Sequence, residues 1–278
     1  MNENENENDS KLVTTQSPTQ TLAETLKRFD IAISKAKIAK LDEYCNLLWT
    51  WNTRFNLTRH TDYDKFISRD LVDSMALEGF LQQEERVLDV GSGGGVPGIV
   101  LAILRPDLQI ELCDATGKKA LALSEMVHEL RLNIPVHHAK AETILATRSK
   151  GTRFTTLTIR AVSRLVQLLR MIKPYWNMFD RLLLVKGTKW TEERGEARHY
   201  NLMNKLALRC LKTYPIPTSE NTDSKEIINS FILQICRKDD FEQLDKIINI
   251  HKIETPEPER QPQRKFQHQT PSKNTKRS

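Results

Sequence analysis

The sequence contains few cysteines and no apolar segment long enough to cross a membrane. Its four cysteines show no Cys-x-x-Cys pair and no clustering with histidine, and they are Cys45, Cys113, Cys210 and Cys236. This scatter argues against a disulfide framework and against a zinc or other metal site. No run of about 18 apolar residues is present, and the N-terminus lacks the basic and then apolar order of a secretion signal. We therefore expect a soluble cytoplasmic protein that neither spans a membrane nor is exported.

Large aliphatic residues are almost absent from both ends of the 278-residue chain. The sequence predicts polar tails over residues 1–20 and 239–278, and the second of these tails is basic. Between them we predict a helical region over residues 21–80 and a larger domain over residues 81–238. The formal net charge is +6 and the pI is near 9.1, which favours a polyanionic partner such as nucleic acid.

Two hydrophobic patterns divide the predicted fold. Residues 21–80 show spacings of three and four, typical of amphipathic helices, and the clearest stripe is Ile38, Leu41, Cys45, Leu48 and Asn52. Further along the chain, short β-rich runs alternate with helical segments, which predicts an α/β fold with a doubly wound, mostly parallel sheet and an antiparallel edge. The seven predicted strands are Arg86–Val90, Gln109–Cys113, Ile134–His138, Thr155–Ile159, Arg181–Lys186, Leu208–Tyr214 and Ser230–Cys236.

A glycine-rich segment follows the first predicted strand. It reads Asp-Val-Gly-Ser-Gly-Gly-Gly-Val-Pro-Gly over residues 89–98, and a helix is predicted to begin near Pro97. Glycines at such a turn let the backbone bend sharply and lie against a ligand. The stretch from Gly93 to Gly98 satisfies the Gly-x-Gly-x-x-Gly pattern, which on its own is also compatible with a dinucleotide site.

Two carboxylates shift the interpretation toward S-adenosylmethionine. Asp89 lies at the end of the first strand and Asp114 closes the second, so both are expected at the carboxyl edge of the sheet. We predict that Asp114 accepts hydrogen bonds from ribose hydroxyls, which either adenosine cofactor offers. Asp89 is expected to favour S-adenosylmethionine over a dinucleotide, because a carboxylate repels a pyrophosphate and attracts the amino group and the sulfonium of S-adenosylmethionine. Gly91 and Gly93 would supply backbone contacts.

Several blocks of sequence occur in one order along residues 38–238. They are Trp51-Asn52, Phe55-Asn56-Leu57-Thr58, Arg69 with Leu71-Val72-Asp73-Ser74, the loop 89–98, Arg105-Pro106, Asp114 with Gly117-Lys118-Lys119, Arg160-Ala161, Leu184-Val185-Lys186-Gly187 and Tyr214-Pro215-Ile216-Pro217. Together they resemble the glucose-inhibited division protein B family of bacterial 16S ribosomal RNA guanine-N7 methyltransferases. The chain departs from that family at Ile159, where serine is usual, and at Asp70, where histidine is common. We expect Asp70 to touch only the helical region.

The resemblance implies a Rossmann-like class I methyltransferase domain preceded by a short helical segment. It implies S-adenosylmethionine as the cofactor, 16S rRNA or the small ribosomal subunit as the partner, and guanine 527 as the methylated base. The cofactor contacts that it implies fall on Gly91, Val96, Ala141, Glu142 and Arg160.

Methylation of guanine N7 needs no general base, because the in-plane lone pair attacks a sulfonium methyl without losing a proton. We therefore expect Arg160, at the end of the fourth strand, to contact the cofactor, a phosphate or guanine O6 while leaving N7 free. Replacing Arg160 with alanine is expected to leave the fold intact. Basic residues after strands or at helix starts are predicted to track RNA phosphates, namely Lys118, Lys119, Arg164, Lys186 and Lys189.

Two other functions remain compatible with the sequence. An NAD-dependent Rossmann oxidoreductase would use the same glycine pattern, although Asp89 and the lack of recognisable catalytic residues in a substrate domain argue against it. A noncatalytic RNA-binding protein would keep the basic surface and leave the loop without a cofactor. Binding of S-adenosylhomocysteine but not NAD would separate a methyltransferase from the oxidoreductase.

Overall fold

The computed structural model describes residues 20–216 and 228–244 of the chain. The chain divides into two units, Met1–Asp240 and Phe241–Ser278, and the fold below lies in the first. The polar tails predicted at 1–20 and 239–278 fall outside the described residues, except for residue 20 and residues 239–244. Among the described helices, none combines the length and the apolar character needed to span a membrane.

The strands are β1 (Arg86–Val90), β2 (Gln109–Asp114), β3 (Val136–His138), β4 (Thr156–Arg160), β5 (Arg181–Lys186), β6 (Leu206–Pro215) and β7 (Asn229–Arg237). They form one seven-stranded sheet in the order β3-β2-β1-β4-β5-β7-β6. Strands β1 to β5 run parallel, and β7 pairs antiparallel with both β5 and β6. The predicted mostly parallel sheet with an antiparallel edge is therefore confirmed.

The central strands are buried almost along their whole length. Every residue of β1 after Arg86 is buried, and so is every residue of β5 before Lys186. Helices cover both faces of such a parallel sheet, so its strands read as unbroken apolar runs. This is why the predicted bounds of β1 and β5 agree with the structure. The short strand β3 begins at Val136, later than the predicted start at Ile134.

Helices flank the sheet and precede it. The α-helices are α1 (Leu22–Arg28), α2 (Lys35–Phe55), α3 (Tyr63–Lys65), α4 (Val72–Glu78), α5 (Gly98–Leu104), α6 (Gly117–Glu129), α7 (Ala141–Thr147), α8 (Leu165–Ile172) and α9 (Trp190–His199). A π-helical segment, Phe66–Leu71, joins α3 to α4. The helical pattern predicted for residues 21–80 thus corresponds to α1 through α4.

The long helix α2 buries one face completely. Its fully buried side chains are Leu41, Tyr44, Cys45 and Leu48. The predicted stripe was correct at its centre and wrong at its ends, because Ile38 and Asn52 are only partly buried. Tyr44 was missed, although it lies three residues after Leu41 and four before Leu48 and therefore shares their face.

A buried ion pair ties the segment before β1 to the start of β5. Arg181 Nη2 lies 3.0 Å from Glu85 Oε2, and both side chains are at most 2% exposed. The same guanidinium donates to Phe80 O at 2.7 Å and to Thr156 Oγ1 at 2.8 Å. Because all three nitrogens of the guanidinium have partners, this network fixes the end of the helical region against the amino edge of the sheet.

Candidate active site

The glycine-rich loop, residues 91–97, connects β1 to α5. It turns back toward β2, where the amides of Gly91 and Ser92 both donate to Cys113 O, at 2.9 and 3.0 Å. Gly91 and Gly95 have φ angles of 70° and 101°, in the left-handed region that side chains disfavour. The loop therefore requires glycine at these positions, and it places several backbone groups at the carboxyl edge of β1.

Asp89 lies beneath this loop and is only 1% exposed. Its Oδ2 accepts from the amide of Gly98 at 3.2 Å, and its Oδ1 accepts from Thr158 Oγ1 at 2.9 Å. The sequence placed this carboxylate beside the crevice as a direct partner of the cofactor. The structure instead shows both oxygens bonded inside the protein, so we reassign Asp89 to holding the first turn of α5 against β4.

We expect the wild type to lose stability, relative to Asp89→Asn, as the pH rises from about 4 to about 6. Burial raises the pKa of Asp89 to about 6, despite the opposing hydrogen bonds from Thr158 and Gly98. In this pH range the folded protein binds more protons than the unfolded chain, so the free energy of unfolding decreases with rising pH. Urea denaturation should show the difference between the two proteins changing by up to about 3 kcal/mol. A difference that stays constant with pH would contradict this prediction.

Asp114 ends β2 and bonds directly to the loop. Its Oδ2 accepts from the amide of Gly93 at 3.0 Å, and its Oδ1 accepts from the amide of Thr116 at 2.8 Å. The carboxylate thus connects the glycine loop to the turn that begins α6. Each oxygen retains lone pairs for a further donor. The predicted ribose contact remains compatible with this geometry.

The helical region forms part of the loop's surroundings. The hydroxyl of Tyr44, on α2, donates to Gly94 O at 2.8 Å. A Cβ placed on Gly94 would lie 2.9 Å from Leu48 Cδ1 and 3.4 Å from Leu57 O. Helix α2 and the turn that follows it therefore pack directly against the loop. The sequence did not predict this contact, because nothing in the periodicity of α2 indicates what its buried face meets.

Arg160, the last residue of β4, lies in a cluster of polar side chains. Its Nε donates to Asp73 Oδ2 at 2.9 Å, and its Nη2 lies 2.7 Å from Asp70 Oδ1. His60 Nδ1 is 2.9 Å from the same Asp70 oxygen, and Tyr214 Oη donates to Asp73 Oδ1 at 2.7 Å. Burial acts to lower the pKa of Arg160, but the two carboxylates outweigh it and raise the pKa.

The expectation that Asp70 touches only the helical region was wrong. The π-helical segment carries Asp70, and α4 carries Asp73 three residues later, so both side chains reach the end of β4. π-Helical turns often occur at functional sites. Ile159, the other departure from the family, is 3% exposed and pairs in the sheet with Val90 and Leu184. Its side chain is therefore part of the core.

Three other predicted cofactor residues lie at the carboxyl edge. Ala141 and Glu142 begin α7, directly after β3, and Ala141 is 4% exposed whereas Glu142 is half-buried. Val96 is half-buried within the loop itself. The structure thus places the starts of α5 and α7 and the end of β4 on the edge where the sequence predicted them.

The residues predicted to contact RNA differ in their solvent exposure and in their ion pairs within the protein. Lys118 and Lys189 are exposed, and Lys119 is half-buried at the start of α6. Arg164 forms an ion pair with Glu196 at 2.7 Å, although its side chain is 63% exposed. Lys186 is 15% exposed, because its ammonium bonds to Glu193 and to Ser163 O, each at 2.8 Å. The structure therefore argues against Lys186 as a phosphate contact.

The fold and the residues at the carboxyl edge of the parallel sheet define the class of protein. One antiparallel strand, β7, lies between β5 and β6 in an otherwise parallel sheet. The glycine loop follows β1, and an acidic residue that bonds to the loop ends β2. This arrangement is that of a Rossmann-like class I methyltransferase, as the resemblance implied.

Comparison with known proteins identifies the family. The family described as GidB, rRNA small subunit methyltransferase G, matches residues 37–217 of this chain. A ribosomal RNA small subunit methyltransferase G from Rhodopirellula baltica is 43% identical over 223 residues, which cover 77% of this chain and 95% of that protein. The protein of the same name from Sorangium cellulosum is 36% identical over 210 residues, which cover 73% of this chain and 85% of that protein. The chain belongs to the rRNA small subunit methyltransferase G family.

Proposed function

We propose that the protein transfers a methyl group from S-adenosylmethionine to N7 of a guanine in small-subunit ribosomal RNA. The base that the family resemblance implies is guanine 527 of 16S rRNA. The observation that carries this proposal is the loop at the carboxyl edge of β1, bonded to Asp114 on one side and to Tyr44 on the other, in a chain of this family. An enzyme with this substrate is expected to act in the cytoplasm.

The charges near the loop fit a sulfonium nucleoside better than a dinucleotide. Asp114 bonds to the loop, Asp89 lies beneath it, and Glu142 begins α7 at the same edge. Carboxylates so placed repel a pyrophosphate and favour a cationic ligand. A Cβ on Gly93 would meet no atom closer than Gly91 O at 3.8 Å, so space is open beside the loop backbone. The residues present therefore fit S-adenosylmethionine.

When bound, this cofactor would supply an electrophilic methyl group on a positively charged sulfur. We assign the ribose hydroxyls to Asp114, whose oxygens have lone pairs beyond those that accept from the loop and from Thr116. The start of α7 would hold the adenine side of the nucleoside. The residues assigned to the cofactor are Gly91, Gly93, Val96, Asp114, Ala141 and Glu142.

Catalysis in this proposal depends on placement rather than on proton transfer. Guanine N7 is already nucleophilic, so the protein must hold the base with N7 in line with the methyl group. Such positioning can contribute roughly 7 to 11 kcal/mol. The Nε of Arg160 bonds to Asp73 and one N–H of its Nη2 faces Asp70, which leaves the second N–H of Nη2 and both of Nη1 as donors for guanine O6 or for the cofactor. A guanidinium held on two sides presents those donors in fixed directions.

Binding of ribosomal RNA should weaken steeply with added salt, because lysines that contact phosphates release counterions. Replacing both Lys118 and Lys119 with alanine should reduce the slope of log affinity against log salt concentration by about one to two, because each lysine that contacts a phosphate contributes about one to that slope. Fluorescence anisotropy over a salt series gives this slope. Lys205→Ala, which removes an exposed charge at the amino end of β6, is the control and should leave the slope unchanged. A slope that the double variant does not alter would remove these lysines from the interface.

The reaction can be tested by mapping methylated bases in ribosomal RNA. Small-subunit RNA from cells with the protein should contain N7-methylguanosine at one position, and RNA from cells without it should lack that modification. Purified protein and S-adenosylmethionine should restore the modification to the unmodified RNA or subunits. An unchanged modification pattern after removal of the protein would contradict the proposed function.

A further inference from the structure

The cluster around Arg160 has more negative than positive charge. One guanidinium faces the carboxylates of both Asp70 and Asp73, and His60 and Tyr214 each bond to one of these carboxylates. Arg160 is thus more than neutralised. The two carboxylates and the one guanidinium together have a net charge of −1, which makes the cluster a poor site for a phosphate.

The surplus charge is shielded from water. The side chains of Asp70, Asp73 and Arg160 are 2%, 10% and 18% exposed. Asp70 Oδ2 is buried and, within the described residues, has no hydrogen-bond partner. Leaving a buried charged oxygen without a partner costs stability. Because Arg160 is already held by Asp73 and by the other Asp70 oxygen, this arrangement has no evident structural benefit.

The cluster borders the proposed cofactor loop. Arg160 follows Ile159, which pairs with Val90 in β1, and Gly91 is the residue after Val90. Val162, two residues beyond Arg160, lies so close to Gly91 that a Cβ on that glycine would be 2.6 Å from Val162 Cγ2. The ends of β1 and β4 therefore meet at this point, with the loop on one strand and the charged cluster on the other.

We propose that Asp70 and Asp73 form an electrostatic site that stabilises the positive charge transferred to guanine during methylation. The inference rests on the proposed function, in which the substrate atom is N7. The N7 lone pair forms the new N–C bond, the electrons of the C–S bond remain on sulfur, and no proton moves. The positive charge therefore leaves sulfur, which becomes a neutral thioether, and appears on the purine.

A fixed negative charge that lies nearer to the purine than to the sulfur lowers the energy of that transition state more than the energy of the reactants, in which the positive charge is still on sulfur. Buried charges act more strongly than exposed ones, because the surrounding medium screens them less. They also need no reorientation as the reaction proceeds, since the bonds to Arg160, His60 and Tyr214 already hold both carboxylates in place. Asp70 Oδ2 is the part of this charge that no donor among the described residues neutralises.

Ligand binding measures this field without any turnover. RNA with N7-methylguanosine at the target position carries on its purine the positive charge that the reaction creates, whereas unmodified RNA is uncharged there. Calorimetry on the wild type saturated with S-adenosylhomocysteine should show tighter binding of the methylated RNA than of the unmodified RNA, by about tenfold or more, and in Asp70→Asn and Asp73→Asn this preference should fall to about threefold or less. A wild type with no preference for the cation would overturn the inference, and so would asparagine variants that keep the full preference.

Single-turnover methylation gives the second measurement. Asparagine retains an acceptor for Arg160 but removes the charge, so each variant should lose about tenfold or more in rate at saturating RNA and cofactor. Asp107→Asn is the matched control, because Asp107 pairs with Arg105 at 2.6 Å at the opposite edge of the sheet. A wild type that forms no N7-methylguanosine would refute the proposed function. A wild type that forms it, with both variants at full rate, would refute only this inference.

Discussion

The variant Gly98→Ala should lose both stability and cofactor binding. A Cβ on Gly98 would lie 2.7 Å from Asp89 Oδ2 and closer still to Leu112 Cδ2, and all three residues are buried in the sheet core. Neither neighbour can move freely, because Asp89 is bonded to Thr158 and Leu112 lies within β2. Overpacking of this kind costs about 1 to 3 kcal/mol or more. Movement of Asp89 should also displace the loop and raise the dissociation constant for S-adenosylhomocysteine by at least about tenfold.

A second glycine provides the control for this experiment. A Cβ on Gly195, an exposed residue within α9, would meet no atom within 4 Å. Gly195→Ala should therefore leave binding unchanged and raise the free energy of unfolding by up to about 1 kcal/mol. Thermal unfolding and calorimetry on both variants test the pair. If Gly98→Ala bound S-adenosylhomocysteine as tightly as the wild type does, the packing of Gly98 against Asp89 would not be what positions the loop.

Replacing Arg160 with alanine should abolish methyl transfer and destabilise the protein. The sequence alone suggested an intact fold, but the structure shows that the variant would leave Asp70 and Asp73 buried without their cation. Breaking such a buried pair costs about 3 to 5 kcal/mol. The rate should fall by at least about 100-fold, because the donor at the end of β4 is lost. Urea denaturation and single-turnover kinetics measure the two effects.

Two further variants separate stability from catalysis. Arg153→Ala breaks a pair with Asp180 in which both side chains are more than a third exposed, so it should cost no more than about 1 kcal/mol. Combining Arg160→Ala with Asp70→Asn and Asp73→Asn should recover much of the stability, because no buried charge is left unpaired, while methyl transfer remains lost. Near-normal turnover in Arg160→Ala would refute the assigned role of this residue.

Much of the sheet could be predicted from sequence, because the pattern that specifies parallel strands is local. Strands buried on both faces are short apolar runs, and the runs at β1 and β5 agreed with the structure in their bounds. The glycine loop could also be predicted, because left-handed φ angles after a buried strand require glycine. These features depend on neighbours in the chain rather than on distant contacts.

The side-chain partners within the site could not be predicted in this way. Asp70 and Arg160 are far apart in sequence, and only the packing of α4 against the sheet brings them together. Asp89 was placed at the correct edge, but its orientation depends on Thr158 in another strand. One local signal was available: Asp70 and Asp73 are three residues apart on a helical segment, which puts both carboxylates on one face. Tyr44 offered a similar signal in α2.

Calorimetric titration of the purified protein with S-adenosylhomocysteine and, separately, with NAD determines which nucleotide cofactor the glycine-rich loop binds. The loop bonded to Asp114 and Tyr44 is expected to bind the thioether nucleoside with one site per chain, and the nearby carboxylates are expected to exclude the dinucleotide. Binding of S-adenosylhomocysteine without measurable binding of NAD is the predicted result. Binding of NAD, or of neither ligand, would contradict the account.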